Sequence, residues 1–446
     1  MSMIFSQGFN DTALRFEKIN HHKRAYDLQM VGDVVIGGDE LVVDGDAVLV
    51  SDSILFDGTD FRPLVTGCIK SFANVDGVVG FLNYDTKTRE LLVVGDYLGR
   101  VPLYYYRQKN LFGNKILIAS ELKCFFGLPL KDVKLLGMGE YITMRDGMFY
   151  VGSYSTISRE LIADDGTDES VLTSIRNLLT SAVAKIVNNT NGMCVFLSGG
   201  VDSTVCAALA KKFKPDIPAY TFSVGDKGKA DLYYARRAAA ELDIPLTEVI
   251  VTQEQVLADL NEIIYFNEDS NWTQITSAVG QYYLAKAAAK DGFITALCGD
   301  LSDEIFASYP QIERWSWRDE QYVDARTKLI NKAWINPNRS VKVMLNAGGI
   351  SYVDPFSDRE FLEFASNVPP RFKDGKLQGK RVNKWLLRSA FNDLIPTEIA
   401  TRAKGCQGAV SFVDEIFNSP EGKKLIKDTY ESMFNHDGKI VNVVKR

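Results

Sequence analysis

From about residue 165 to residue 298, short apolar runs alternate with longer segments of helical period. That alternation constrains the fold more than any other feature of the chain. Asp165-Gly166-Thr167-Asp168 offers a cap for a helix whose apolar positions Val171, Ile175, Leu178, Leu179, Ala182, Val183 and Ile186 recur at helical spacing. A short strand, Met193–Leu197, comes next, then a helix over Thr204–Lys212, a strand over Ala219–Val224, a helix over Leu232–Leu242 and a strand over Leu246–Val251. Helical stretches around Gln253–Tyr265 and Ser277–Lys290 precede a fourth strand, Phe293–Cys298, and the final part of the chain leans helical. Strands separated by helices pair in parallel, because the crossover returns each strand in the same direction. A parallel sheet with helices on both faces is therefore expected for residues 161–446.

Residues 1–160 read differently. Asp33–Ile36, Ala47–Val50 and Glu90–Val94 are short and rich in Val, Ile and Leu, and Gly/Asp turns separate them. Val78–Tyr84 and Glu90–Val94, joined by Thr86–Arg89, predict a hairpin, and Val101–Tyr106 with Lys115–Ile118 predicts a second strand pair. An α+β sheet sandwich is the expected first domain.

Composition excludes several function classes. Lys plus Arg number 51 and Asp plus Glu 57, a net charge of -6, which argues against a broad nucleic-acid-binding face. The apolar runs are strand-sized, far short of the roughly 18 residues a membrane span needs. The opening MSMIFSQGFN lacks the layout of a signal peptide. Six cysteines (Cys68, Cys124, Cys194, Cys206, Cys298 and Cys406) form no CxxC pair, so reduced thiols in a cytoplasmic protein are expected. The three histidines His21, His22 and His436 are too few and too scattered for a zinc enzyme or a Ser-His-Asp hydrolase.

The segment that carries chemistry is Leu197-Ser198-Gly199-Gly200-Val201-Asp202-Ser203-Thr204, between a buried strand and a helix. Two glycines allow a ligand to approach the backbone closely. The hydroxyls of Ser198, Ser203 and Thr204, with the free N–H groups of a helix start, make an anion cradle. No lysine follows the glycines, so this is not the Walker P-loop. A carboxylate among phosphates needs an intervening cation, and Asp202 is therefore expected to ligate Mg²⁺. Such a cation needs a second acid. Cys298-Gly299-Asp300-Leu301-Ser302-Asp303-Glu304 follows another expected strand, and Asp303 is the candidate partner.

Both segments resemble the asparagine synthetase superfamily of ATP pyrophosphatases, the PP-loop enzymes. The resemblance implies an adenine nucleotide alpha hydrolase-like fold, ATP and Mg²⁺ as cofactors, pyrophosphate held by Ser198–Thr204, and adenine facing Phe222-Ser223-Val224. It extends to Asp231 and Tyr234-Ala235-Arg236, to Lys384-Trp385-Leu386-Leu387-Arg388 and to Arg402-Ala403-Lys404-Gly405, which look like the family's two C-terminal lysine segments. It implies that Lys404 is catalytic, that Lys384 contacts phosphate, and that Leu197 and Gly299 border the nucleotide. Gly95–Tyr105 and Ala119–Lys123 resemble the close of the family's class II glutaminase domain, which implies an Ntn-hydrolase-like sandwich and a homodimer.

The departures narrow the chemistry. A class II glutaminase needs a cysteine nucleophile at its mature N-terminus. Position 2 is Ser2 and no cysteine precedes Cys68, so glutamine hydrolysis is expected to be absent. Asp300 stands where asparagine synthetases carry glutamate and β-lactam synthetases tyrosine, and it can serve as general base for an attacking amine. Gly349–Phe356 falls where asparagine synthetases read close to VEARVPF, but it lacks the arginine and contains Tyr352. The expected activity is ATP-dependent amide synthesis through an acyl-AMP, joining a small-molecule carboxylate to ammonia, with an intramolecular amine of the β-lactam synthetase or lasso-peptide cyclase type as the alternative. RNA-thiolating relatives would bring a basic surface and reactive cysteine pairs. No nucleic acid and no membrane are expected as partners.

Overall fold

The structure, a computed structural model, describes residues 3–9, 27–31, 33–38, 40–51, 54–55, 69, 72, 75–110, 113–155, 168–225, 229–309, 320–372, 374–402 and 411–434. Ser2, the three histidines, Cys68, Lys404 and Cys406 lie outside these residues, as does the expected domain boundary near residue 160.

Two six-stranded antiparallel sheets form the first part. One runs Lys134–Leu135, Tyr104–Asn110, Gly113–Ala119, Met3–Gln7, Val34–Gly38, Asp27–Val31, and the other runs Met148–Ser153, Glu140–Arg145, Leu91–Val94, Phe81–Asp85, Ala47–Ser51, Glu40–Asp44. Side chains alternate across a strand, so Val48 and Val50, Leu82 and Tyr84, and Ile116 and Ile118 each point to one face. All six join a single buried cluster between the sheets. The expected hairpin is present, with Phe81 opposite Val94. Asp85 Oδ1 accepts from the backbone N–H of Lys87 and Thr88 to shape its turn. In the second strand pair, Tyr105 faces Ile118, but the strand begins at Tyr104 rather than Val101. Pro102 precedes it and has no N–H to give a ladder.

The second part contains a five-stranded sheet in the order Leu246–Val251, Ala219–Val224, Met193–Phe196, Thr295–Leu297, Ser351–Val353. Every pairing is parallel. Its central strands are wholly buried because helices cover both faces. The helices Asp168–Asn189 and Val201–Phe213 pack in the core on one side, and Trp272–Lys290 and Ile335–Gly348 pack against each other on the opposite side. The fifth strand and the hairpin Asp374–Leu377 with Lys380–Asn383 were not anticipated, since three or four residues carry too little periodicity. The expected helix over Gln253–Tyr265 is two helices, Gln253–Ala258 and Leu260–Asn267, the first closed by a Thr252/Gln255 capping box.

Buried charge fastens the two parts together. Arg100 pairs with Asp96 at 2.7 Å and donates to Ser357 Oγ at 2.9 Å, while the Tyr97 hydroxyl donates to the Ser357 carbonyl. Nearby, Glu268 accepts from the N–H groups of Leu122 and Lys123 at 3.0 and 2.9 Å, and Lys123 also pairs with Glu121. No helix among the described residues is long and apolar enough to cross a membrane.

Candidate active site at the sheet's switch point

Chain order sets where a ligand can enter. After the central strand Met193–Phe196 the chain lays two strands to one side, then crosses to place Thr295–Leu297 and Ser351–Val353 on the other. The connections leaving Met193–Phe196 and Thr295–Leu297 therefore diverge, opening a crevice at their carboxyl ends. A cleft of about 230 Å³ occupies that place, lined by Leu197, Ser198, Asp202, Ser203, Phe222, Gly280, Gln281, Gly299 and Asp300 among others.

The glycines are required by geometry. Gly199 has φ +71, and a Cβ there would lie 2.4 Å from the Ala235 backbone nitrogen. At Gly299 a Cβ would lie 2.9 Å from the Ser203 nitrogen, so the two loops touch through their backbones. Gly200 starts the helix Val201–Phe213 and offers no capping side chain, which leaves the first N–H groups of that helix to a ligand. Ser198 and Ser203 lie with their hydroxyl oxygens 3.0 Å apart at the cleft. Thr204, expected among the cradle hydroxyls, is instead fully buried and donates to the Gly200 carbonyl at 2.7 Å. It faces inward because it sits one helical turn beyond Gly200, on the side packed against the sheet.

The two candidate metal acids converge. Asp202 Oδ2 and Asp303 Oδ1 each lie 2.7 Å from the Lys384 ammonium, whose side chain is 4% exposed. Ser302 donates to Asp202 Oδ1 at 2.6 Å, and Ser308 donates to Asp303 Oδ1. Burial by itself would lower the Lys384 pKa; the Asp202 and Asp303 charges more than offset it and hold the ammonium above its ordinary value. Leu301, Ala307 and Lys384 all have φ between 50 and 66 without being glycine. Each such residue costs roughly 1–3 kcal/mol, which the surrounding packing must sustain. Glu304 anchors the same loop by accepting from Tyr309 and Asn336 at 2.5 and 2.7 Å, and burial pushes its pKa up to about 7.

The donor set suits Mg²⁺. Among the described residues no group of three or more His, Cys, Asp or Glu forms a protein-only metal cage. Two carboxylates at a cleft mouth, with the remaining ligands left to phosphate oxygens and water, are what a nucleotide-bound Mg²⁺ takes.

Asp300 lines the cleft and accepts from Ser340 at 2.8 Å; Gln281 donates to Ser340 at 2.5 Å, and Arg339 donates to Gln281 at 3.1 Å. Asp354, at the end of the unanticipated fifth strand, is buried and caps Phe356 N at 3.0 Å. Burial and the neighbouring Asp300 charge push its carboxyl well above the usual carboxylate range. Phe222 stacks on Tyr283 with its ring against Gly280, so only part of it reaches the cleft. Ser223 and Val224, expected to face the base, are buried and do not line the cleft. Lys404 lies outside the described residues, whereas Arg402 lies within them. Its guanidinium lies 3.5 Å over the Tyr234 ring and 3.3 Å from Asp231, on the helix that presses against Gly199.

Sequence reasoning missed Ser302, Ser308, Ser340, Gln281 and Asp354. One signal was available: Ser277, Gly280, Gln281 and Leu284 recur at i, i+3, i+4, i+7 and present one helix face to the cleft.

The family described as Asparagine synthase matches residues 174–347 and 339–442, more than half of the chain. The chain belongs to the asparagine synthase family. A Glutamine amidotransferase domain family matches residues 59–127. Curated relatives include Escherichia coli "Asparagine synthetase B [glutamine-hydrolyzing]", 26% identical over 352 residues, covering 74% of this chain and 60% of the relative. Another is Arabidopsis thaliana "Asparagine synthetase [glutamine-hydrolyzing] 3", 26% identical over 353 residues, covering 74% of this chain and 58% of the relative. The chain thus spans about 60% of the length of these synthetases. Among solved structures, a Francisella tularensis NMN synthetase is similar at 14% identity and a TM-score of 0.30, over 63% of this chain and 100% of that one. Membership in the family agrees with both the divided sheet architecture and the two motifs that flank the cleft.

Proposed function

We propose that the chain is an ATP-dependent amide ligase that adenylates a small-molecule carboxylate, releases pyrophosphate and transfers the acyl group to an amine. The observation that carries this reading is the convergence of Asp202 and Asp303 on one cation position, 2.7 Å from each, at the mouth of the switch-point cleft. In this reading the Ser198–Ser203 backbone and hydroxyls hold the phosphates, and the part of the cleft lined by Phe222 and Gly280 takes the base. Asp202 and Asp303 would hold Mg²⁺, which would neutralise charge on the phosphate oxygens. Lys384 and Lys404 offset the charge that accumulates as pyrophosphate leaves. Asp300, positioned by Ser340, takes the proton that the attacking amine must lose.

Ammonia is the proposed amine, with aspartate as the leading acid and asparagine as product. The curated relatives are named for glutamine hydrolysis, but no thiol lies between residues 1 and 67 of this chain to perform it. The test is ATP–pyrophosphate exchange across a panel of carboxylic acids, followed by product analysis with ammonium. Exchange with aspartate and formation of asparagine, AMP and pyrophosphate is the expected result. Exchange with none of the acids refutes the ligase reading. Exchange with an acid that carries its own amine, independent of ammonium, replaces ammonia with an internal nucleophile.

A further inference from the structure

The acids that would hold the metal already share a cation. Asp202 comes from the first turn of the helix Val201–Phe213, Asp303 from the short helix Ser302–Ile305 about a hundred residues later, and Lys384 from the hairpin exit beyond. The lysine's placement is costly in three ways. Its side chain is buried. Its backbone is left-handed at φ 53, ψ 36, a conformation that disfavours a Cβ. It also occupies the N-cap of the helix Trp385–Ala390, the end of a helix that repels positive charge. Arg388 fixes this arrangement by donating to the Asn383 carbonyl at 2.8 Å and to the Ile399 and Ala400 carbonyls at 2.8 and 3.0 Å. A residue held against these preferences is there for its contact with the two acids.

We propose that Lys384 is the resident cation of the two-acid site, so that the enzyme takes up its divalent metal only together with nucleotide. The proposal rests on the reading of Asp202 and Asp303 as metal ligands. Among the described residues, the Asp202 and Asp303 carboxylates share the one Lys384 ammonium. A divalent ion arriving alone must displace an ammonium that both acids hold at 2.7 Å, or bind beside it against repulsion. A triphosphate changes this balance. Its oxygens give the flexible four-carbon ammonium a new partner, and the released carboxylates become free to ligate the metal that the phosphates bring. Metal and nucleotide then strengthen one another's binding by the same factor, as linkage requires.

The test uses Mn²⁺ as the probe, read as Mn²⁺ retained with the full chain in equilibrium dialysis with nucleotide equal on both sides, and no carboxylic acid present. Wild type is expected to bind Mn²⁺ at least tenfold more weakly without nucleotide than with a non-hydrolysable ATP analogue. Lys384→Met is expected to bind Mn²⁺ without nucleotide at least tenfold more tightly than wild type, and its melting temperature should rise on adding Mn²⁺ while that of wild type does not. Lys384→Gln, which keeps a polar side chain but no charge, should behave like Lys384→Met and serves if the methionine variant does not fold. Adding Asp202→Asn to either variant should remove the gain. Wild type that binds Mn²⁺ equally with and without nucleotide overturns the proposal, as do folded charge-less variants that gain no affinity. The metal-ligand reading fails separately, if Asp202→Asn leaves Mn²⁺–nucleotide binding intact.

Discussion

Replacing Asp96 by asparagine would strand a buried guanidinium at the seam between the two parts of the molecule. The side chains of Arg100 and Asp96 are 3% and 0% exposed. The Asp96 carboxylate accepts from the N–H groups of Val79, Leu98 and Arg100 at 3.1, 3.0 and 3.1 Å, and from Arg100 Nε and an Arg100 terminal nitrogen at 2.8 and 2.7 Å. Burial alone would pull the Arg100 pKa down, and the Asp96 charge holds it above its ordinary value. An asparagine amide offers these five donors one oxygen and turns its own N–H groups toward the rest. Asp96→Asn should therefore cost about 3–5 kcal/mol, the range for breaking a buried ion pair from one side. Arg100→Met leaves the carboxylate three backbone donors but frees the Gly77 carbonyl and the Ser357 hydroxyl, so about 2–3 kcal/mol is expected. The double variant has no buried charge, and its cost should fall short of the sum by about 2 kcal/mol. Urea unfolding followed by far-ultraviolet circular dichroism measures all three. An Asp96→Asn cost under about 1 kcal/mol, or strict additivity in the double variant, would refute the reasoning.

Three further outcomes are expected. Gly199→Ala combines a left-handed backbone with a Cβ 2.4 Å from the Ala235 nitrogen, so it should lose more than about 2 kcal/mol in thermal unfolding and weaken ATP binding at least tenfold in calorimetry. Asp202→Asn and Asp303→Asn should each abolish pyrophosphate exchange at a stability cost near 1 kcal/mol, because Lys384 keeps one carboxylate; the double variant should cost about 3–5 kcal/mol by leaving the ammonium unpaired. Burial pushes the Cys194 thiol up to about 12 and holds Cys206 and Cys298 well above the usual thiol range. Thiolate is the reactive form, so alkylation of these three in the native protein should stay negligible and should not rise between pH 7 and 9. Mass spectrometry showing native labelling at any of them would contradict their burial.

Much of the architecture was legible because the signals are local. Val48 and Val50 alternate, Val171 to Ile186 follow a helical period, and Ser198-Gly199-Gly200 marks a close turn whichever side of the sheet it reaches. The short fifth strand, Ser351–Val353, was not legible, since three residues hold no period and its identity as a strand comes from lying beside Thr295–Leu297. The inward turn of the Thr204 hydroxyl was equally hidden, because the residue type suits a cradle and a helix interior alike.

By itself the sequence singled out residue types that meet at the cleft: glycines that admit a ligand to the backbone, two acids, a lysine and an acid suited to proton transfer. Only the tertiary structure decided that Asp202, Asp303 and Lys384 meet at one point, and that Asp354 lies buried near Asp300. The reason is physical. Periodicity acts over a few residues, whereas the meeting of groups 81 to 182 positions apart depends on strand order, on where the sheet's connections diverge, and on the packing that holds a strained lysine in place.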